Sequence, residues 1–265
     1  MTHGDGKGQS SDPQRRFILL GASNIARSFS TVVSTCQQVC GQPVDLMTAS
    51  GHGRGYGLES WVLGRSLPSI LECGLWDALA TRPPLQTVSL LTDIGNDLVF
   101  GASPEQVASW VEQCLRRLAR LSNRIIVTEL PLASLVKLGA VRFRIMRTLL
   151  FPRSVLTAGV AAQHARELNE RVVELATQYD AQRVCPAAQW YGVDPIHVKR
   201  AYQTRAWQTI LSVGQPSAAA NAVSSFFPAR SLCCLRPQHR RLFGIKQSRR
   251  QPCATLINGT SISLY

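Results

Sequence analysis

Phe17-Ile18-Leu19-Leu20-Gly21-Ala22-Ser23-Asn24 decides how this chain is read. Four apolar residues run straight into Gly-Ala-Ser-Asn, and a helical pattern follows. A short, fully apolar run ended by glycine reads as a strand buried on both faces, as in parallel sheets. In such sheets ligands sit beyond the carboxyl ends of the strands. Ser23 therefore stands where a nucleophile would stand, past a strand tip and at the start of a helix. Gly21 allows a tight turn there. Backbone N–H groups at the helix start can face a developing negative charge. The competing assignment for Ser23 is an ordinary helix N-cap, a position that serine favours.

The same alternation continues downstream. A helix is expected over 25–39, ended by Gly41 and Pro43. The second strand, 44–49, runs into Ser50-Gly51-His52-Gly53-Arg54-Gly55-Tyr56-Gly57, whose four glycines make a loop able to approach a ligand closely. A helix is expected around 61–72, with Leu67, Ile70 and Leu71 as its apolar face. The third strand, 88–92, ends in Asp93-Ile94-Gly95-Asn96-Asp97. A capped helix follows: Ser103 caps, Pro104 takes the first position and Gln106 closes a capping box. Val107, Trp110, Val111, Cys114, Leu115 and Leu118 then repeat at helical spacing. A fourth strand is expected over 124–129, a long helix over 159–179, a short fifth strand over 183–185 and a last helix to Val213. Strand and helix in strict alternation argue a parallel sheet covered on both faces.

Composition agrees. A chain of 265 residues, 45% hydrophobic and 17% charged, has the length and balance of one globular α/β domain. No apolar run approaches the ~20 residues that span a bilayer. Residues 1–15 are polar, Gly/Ser-rich and without an apolar signal core, so a disordered leader and a cytoplasmic protein are expected. The net charge is +13, and about half of that excess falls in 215–265, which holds seven Lys and Arg and no Asp or Glu. That segment reads as a basic, disordered tail on a domain spanning 16–214. Between 132 and 156, Arg142, Arg144, Arg147 and Arg153 are interleaved with apolar residues. This stretch reads as a lid or insertion, or as a solvated basic helix face. It also fits an entrance for an acyl group or anionic substrate, or a weak contact with a membrane surface. The eight cysteines show neither a Cys-x-x-Cys pair nor zinc-ligand spacing, and read as mostly small buried hydrophobes.

Four polar clusters lie after strands or before the last helix: Ser23, the loop at Gly51, Asn96, and Asp194-Pro195-Ile196-His197. In a doubly wound sheet such places converge on one edge. A serine hydroxyl needs a base, which His197 supplies. Asp194, three residues earlier, can hold Nδ1–H and leave Nε2 toward Ser23. The backbone N–H groups of Ser23 and Gly51 and the Asn96 amide can act as oxyanion donors. Taken singly, His197 is equally a capping or core histidine, and Asn96 a turn residue.

These blocks resemble the SGNH (GDSL-like) hydrolase superfamily. Gly21-Ala22-Ser23 resembles its first block, Ser50-Gly51 its glycine block (Gly53 being the alternative), Ile94-Gly95-Asn96-Asp97 its third and Asp194 to His197 its last. The resemblance implies a three-layer α/β/α, flavodoxin-like fold with a mostly parallel five-stranded sheet. It implies acyl transfer through an acyl-serine: Ser23, His197 and Asp194 catalytic, Ser23, Gly51 and Asn96 forming the oxyanion hole. Asn24, Gly53 and Asp97 are candidate substrate contacts. Ala22 replaces the family's Asp beside the serine, so whatever that carboxylate orients is missing, and Ile94 and Val198 depart from the pattern as well. The expectation is a serine esterase acting on a small-molecule or carbohydrate ester, with no metal or cofactor. Sugar O-acyl transfer or deacetylation is its rival on the same site. A non-catalytic nucleic-acid-binding protein using Arg236, Arg240, Arg241, Lys246, Arg249 and Arg250 is the rival of another class.

Overall fold

The computed structural model describes residues 12–41, 43–135, 157–214, 232 and 234–265. Most of the expected leader, the 136–156 part of the expected lid, and residues 215–231 and 233 lie outside the described residues.

In chain order the elements are β1 (Arg15–Leu20), α1 (Ser23–Arg27), α2 (Phe29–Cys40), β2 (Val44–Ala49), β3 (Ser60–Val62), β4 (Arg65–Leu67), α3 (Leu75–Thr81), β5 (Gln86–Leu91), α4 (Asn96–Val99) and α5 (Pro104–Leu118). There follow β6 (Arg124–Thr128), α6 (Leu132–Leu135), α7 (Ala158–Gln178), β7 (Gln182–Val184), α8 (Gln203–Ser212), β8 (His239–Leu242), β9 (Ile245–Ser248), β10 (Ala254–Thr255) and β11 (Ser261–Leu264). Five strands pair in parallel in the order β2-β1-β5-β6-β7. That is the 2-1-3-4-5 order of flavodoxin-like sheets.

The apolar run of β1 explains the layers. Phe17 and Leu19 face one side, with Val32, Val33, Cys36, Trp207 and Ile210 from α2 and α8. Ile18 and Leu20 face the other, with Val107, Val111, Leu115, Leu168 and Val172 from α5 and α7. Each fully buried aliphatic side chain contributes about 1.5–3 kcal/mol. The α5 start is as read: Gln106 N–H donates to Ser103 Oγ at 3.3 Å, and Ser103 N–H to Gln106 Oε1 at 2.9 Å. Cys36, Cys73, Cys114 and Cys253 are buried, whereas Cys185 and Cys234 are exposed.

Three expectations are corrected. The 25–39 helix is two, broken at Ser28, whose hydroxyl donates to Asn24 O and accepts from Trp207 Nε1 at 2.6 Å. The 61–72 helix is a hairpin, β3 to β4, turned by Leu63 and Gly64 at positive φ. Of the expected apolar face only Leu67 lies in a strand; Ile70 and Leu71 are buried in the turn that follows, where their N–H groups donate to Gly55 O and Tyr56 O at 3.0 and 3.1 Å.

The third correction concerns the disordered tail. Residues 234–265 are folded and extend the expected five strands to seven. β11 pairs in parallel with β2, β10 lies antiparallel to β11, and β8 and β9 join β3 and β4 in a second, four-stranded antiparallel sheet. These strands have two to four residues, too few for a periodicity to register. They are fixed by partners distant in sequence: Tyr265 N–H donates to Thr48 O at 2.9 Å, and Gln37 Nε2 to Thr260 Oγ1 at 2.9 Å.

Candidate active site

The tip of β1 is bound to its neighbours before any side chain acts. Gly21 N–H donates to Ala49 O at 3.1 Å, and Thr92 N–H to Leu20 O at 2.9 Å. A Cβ on Gly21 would lie 2.7 Å from Thr92 Cγ2, so glycine serves here by close approach. The chain then enters α1 with Ala22 in the N-cap place and no side-chain cap. Ser23 is thereby spared the capping role, and its hydroxyl turns elsewhere.

It meets His197. His197 Nε2 lies 2.9 Å from Ser23 Oγ, and Nδ1 lies 2.6 Å from Asp194 Oδ2. With Asp194 ionised, Nδ1–H donates to the carboxylate and Nε2 is left to accept from the serine hydroxyl. Burial opposes the Asp194 charge. The hydrogen bond and charge of His197, with the Ile196 and His197 N–H groups, outweigh it and hold that carboxyl below its ordinary value. The two N–H groups each donate to Asp194 Oδ1 at 3.2 Å.

Asp93, to which the sequence reading assigned no role, organises the serine turn. It sits just beyond β5 at φ 55°, a conformation that Asp tolerates better than most residues. Its carboxylate accepts from Ala22 N–H and Asn24 N–H, both at 2.9 Å, and from Asn24 Nδ2 at 2.6 Å. Burial raises this carboxyl, and the donors from Asn24 and Ala22 pull it back. A carboxylate thus stands beside the serine although position 22 is alanine. No sequence spacing links 93 to 23; only the β1–β5 register does.

Asn24 joins the serine turn to the histidine loop. Nδ2 donates to Ile196 O at 2.8 Å, and Oδ1 accepts from Val198 N–H at 2.9 Å. Its amide is committed on both ends, and Asn24 also lines the cavity beside Ser23. Asp97 is turned into the protein. It is buried and accepts from Tyr56, Gly57 and Leu58 N–H at 2.6, 3.3 and 2.9 Å, holding the glycine loop.

Asn96 opens α4 after Gly95, whose φ is 130°. Its Nδ2 donates to Arg54 O at 3.0 Å, leaving one amide hydrogen without a partner among the described residues. The backbone N–H groups of Ser23 and Gly51 have no partner among the described residues either. Gly51 is packed under Leu67, where a Cβ would come within 2.2 Å of Cδ1. Gly53 lies at φ 70° in the same loop. His52 of that loop is lowered by burial, then by the nearby charges of Arg65, His197 and Arg27.

Beside Ser23 lies a cavity of about 160 Å³. Thr92, Asp93 and Asn96 are among its lining, with Leu130, Ala165, Trp190, Trp207 and Ile210 as much of its apolar wall. Among the described residues no three His, Cys, Asp or Glu side chains gather to hold a metal ion.

No family model matches the sequence, and no curated protein does. Solved structures do. The aryl esterase of M. smegmatis is 15% identical over 74% of this chain and 96% of its own, with a TM-score of 0.50. A carbohydrate acetylesterase family member from Sinorhizobium meliloti is 15% identical over 74% and 95%, at 0.47. A lipolytic G-D-S-L family protein from Veillonella parvula is 12% identical over 75% and 96%, at 0.46. At such identities the likeness is one of fold, which the aryl esterase supports. The three-layer fold implied by the SGNH resemblance is the fold observed.

Proposed function

We propose that the chain is a serine hydrolase of SGNH type that cleaves esters through an acyl-serine. The hydrogen-bonded run Asp194–His197–Ser23 carries this reading. In the first step Ser23 Oγ attacks the ester carbonyl while His197 Nε2 takes the hydroxyl proton. Asp194 holds the imidazolium that forms. The carbonyl oxygen gains negative charge, and the Ser23 and Gly51 N–H groups and the free Asn96 amide hydrogen are the donors for it. Removing one such donor typically costs about 3–4 kcal/mol. The tetrahedral intermediate expels the alcohol, which takes its proton from His197. Water then attacks the acyl-serine by the same path in reverse.

The apolar cavity beside Ser23 suits the acyl part of the substrate. A site of this volume has room for a group about the size of benzene, which an apolar cavity of about 150 Å³ can bind. An aryl or medium-chain acyl ester therefore fits better than an acetyl ester.

The purified chain should hydrolyse p-nitrophenyl esters, and a fluorophosphonate probe should label Ser23. Ser23→Ala should abolish labelling and lower kcat by about 10⁴-fold or more. Equal turnover by the mutant, or a label on another residue, would overturn the assignment.

A further inference from the structure

The two hairpins of the four-stranded sheet end alike. Leu63-Gly64 joins β3 to β4, and Phe243-Gly244 joins β8 to β9. Both residues of each turn have positive φ: 49° and 73° in the first, 47° and 84° in the second. This two-residue turn matches the twist of a hairpin, and Asn-Gly or Asp-Gly is its favoured filling. A bulky apolar residue is strained there. Yet both hairpins, 180 residues apart in sequence, carry one at the same place and leave it in solvent. Leu63 is 80% exposed and Phe243 77%. The tips lie side by side, since Phe243 N–H donates to Gly64 O at 2.7 Å. Ile245 and Trp61, 69% and 55% exposed, flank the tips on opposite faces of the sheet. Half of the large apolar side chains exposed among the described residues gather at this one rim.

Cations surround it. Arg65 pairs across the sheet with Leu242, next to the patch, and Arg241 with Lys246. Behind the tips Arg236, Arg240 and Arg249 line a concavity with Pro237, Gln247 and Ser248. Burial, then the neighbouring charges of Arg236 and Arg65, lower Arg240. No Asp or Glu occurs after Asp194. Glu59, on the approach to β3, is engaged by the Ser66 hydroxyl.

We propose that this platform docks on a bilayer bearing anionic phospholipid. Leu63 and Phe243, with Trp61 and Ile245, enter the headgroup region while the arginines meet lipid phosphates. Apolar side chains beside basic ones are the pattern that binds such a surface. A nucleic acid would use the cations but gain little from exposed Leu and Ile. No helix among the described residues is long and apolar enough to cross a membrane. Leu67 of β4 packs on Gly51, which ties this sheet to the glycine loop. The proposal stands independently of the hydrolase reading.

The test is sedimentation of the full chain with phosphatidylcholine vesicles, with and without phosphatidylserine. Binding should be roughly tenfold or more tighter with phosphatidylserine and should weaken as salt rises. The double variant Leu63→Asn/Phe243→Asn suits both turns better, so its thermal midpoint should hold or rise while vesicle binding falls about tenfold or more. Arg240→Ala/Arg249→Ala should erase the preference for phosphatidylserine. Absence of binding to either vesicle, or equal binding by the double asparagine variant, would overturn the proposal. So would tight binding of a single-stranded oligonucleotide, unchanged in the asparagine variant, by a chain that ignores vesicles.

Discussion

Asn24 and Asp93 hold the Ser23 turn and the His197 loop to one another, and neither bonds to Ser23 Oγ or His197 Nε2. The Asn24 amide bonds to Ile196 O and Val198 N–H, the residues on either side of His197. Misplacing a catalytic group by about 1 Å can cost around a hundredfold in rate. Asn24→Ala should therefore lower kcat by about ten- to a hundredfold with little change in KM, because its partners are protein rather than substrate. A rise in KM with kcat intact would return Asn24 to substrate binding. Asp194 sets a pH test. Its folded carboxyl lies below the ordinary value, so its ionised form favours the fold above the unfolded pKa of about 3.9. That contribution is lost as pH falls through the folded value. The stability gap between wild type and Asp194→Ala, from urea midpoints, should thus shrink as pH falls from about 5 toward 3. A gap that widens on acidification would contradict this.

The glycine loop is an element built around one buried carboxylate. Asp97 gathers three of its N–H groups, and Gly55 has no side chain because a Cβ would lie 2.3 Å from Asp97 Oδ1. Gly55→Ala must push the loop off that carboxylate. It should cost about 1–3 kcal/mol in denaturant unfolding, typical of overpacking, and also lower activity, since Arg54 O holds Asn96. Unchanged stability would mean that the loop shifts freely. On α7, Ala165 lies in the cavity wall. Ala165→Phe should lower kcat/KM for hexanoyl or benzoyl esters about tenfold or more relative to acetyl ester, since the added ring fills much of the space. A uniform loss across the series would place the acyl group elsewhere.

At the scale of the molecule, the C-terminal segment completes the sheet. Without this segment the edge of β2 loses its ladder, and the interior packed around the fully buried Thr260, Ile262 and Ser263 is opened. Arg82 loses Ser263, and the buried Arg54 loses the backbone oxygen of Tyr265. Removal of 234–265 should yield an aggregated or unfolded product by circular dichroism and size exclusion. A folded, monomeric truncation would show the segment to be dispensable. Thr260→Val is a milder probe. It strands Gln37 Nε2 and Val44 N–H in the interior, and should cost about 1–3 kcal/mol.

The five parallel strands, the α5 capping box and the order of the polar blocks were determined by the sequence alone. They rest on local signals, apolar runs ended by glycine and side chains that bond three residues away, which need no distant partner. Ser23 and His197 could be named for the same reason, each lying in a short recognisable block. Only the tertiary structure decided what depends on contacts across the chain. Asp93 serves the serine turn because β1 and β5 run in register, not because of its neighbours in sequence. Asn24 and Asp97 are turned inward by partners tens to more than a hundred residues away. The strands after residue 234 are too short to declare themselves and exist because β2 and β4 offer them an edge.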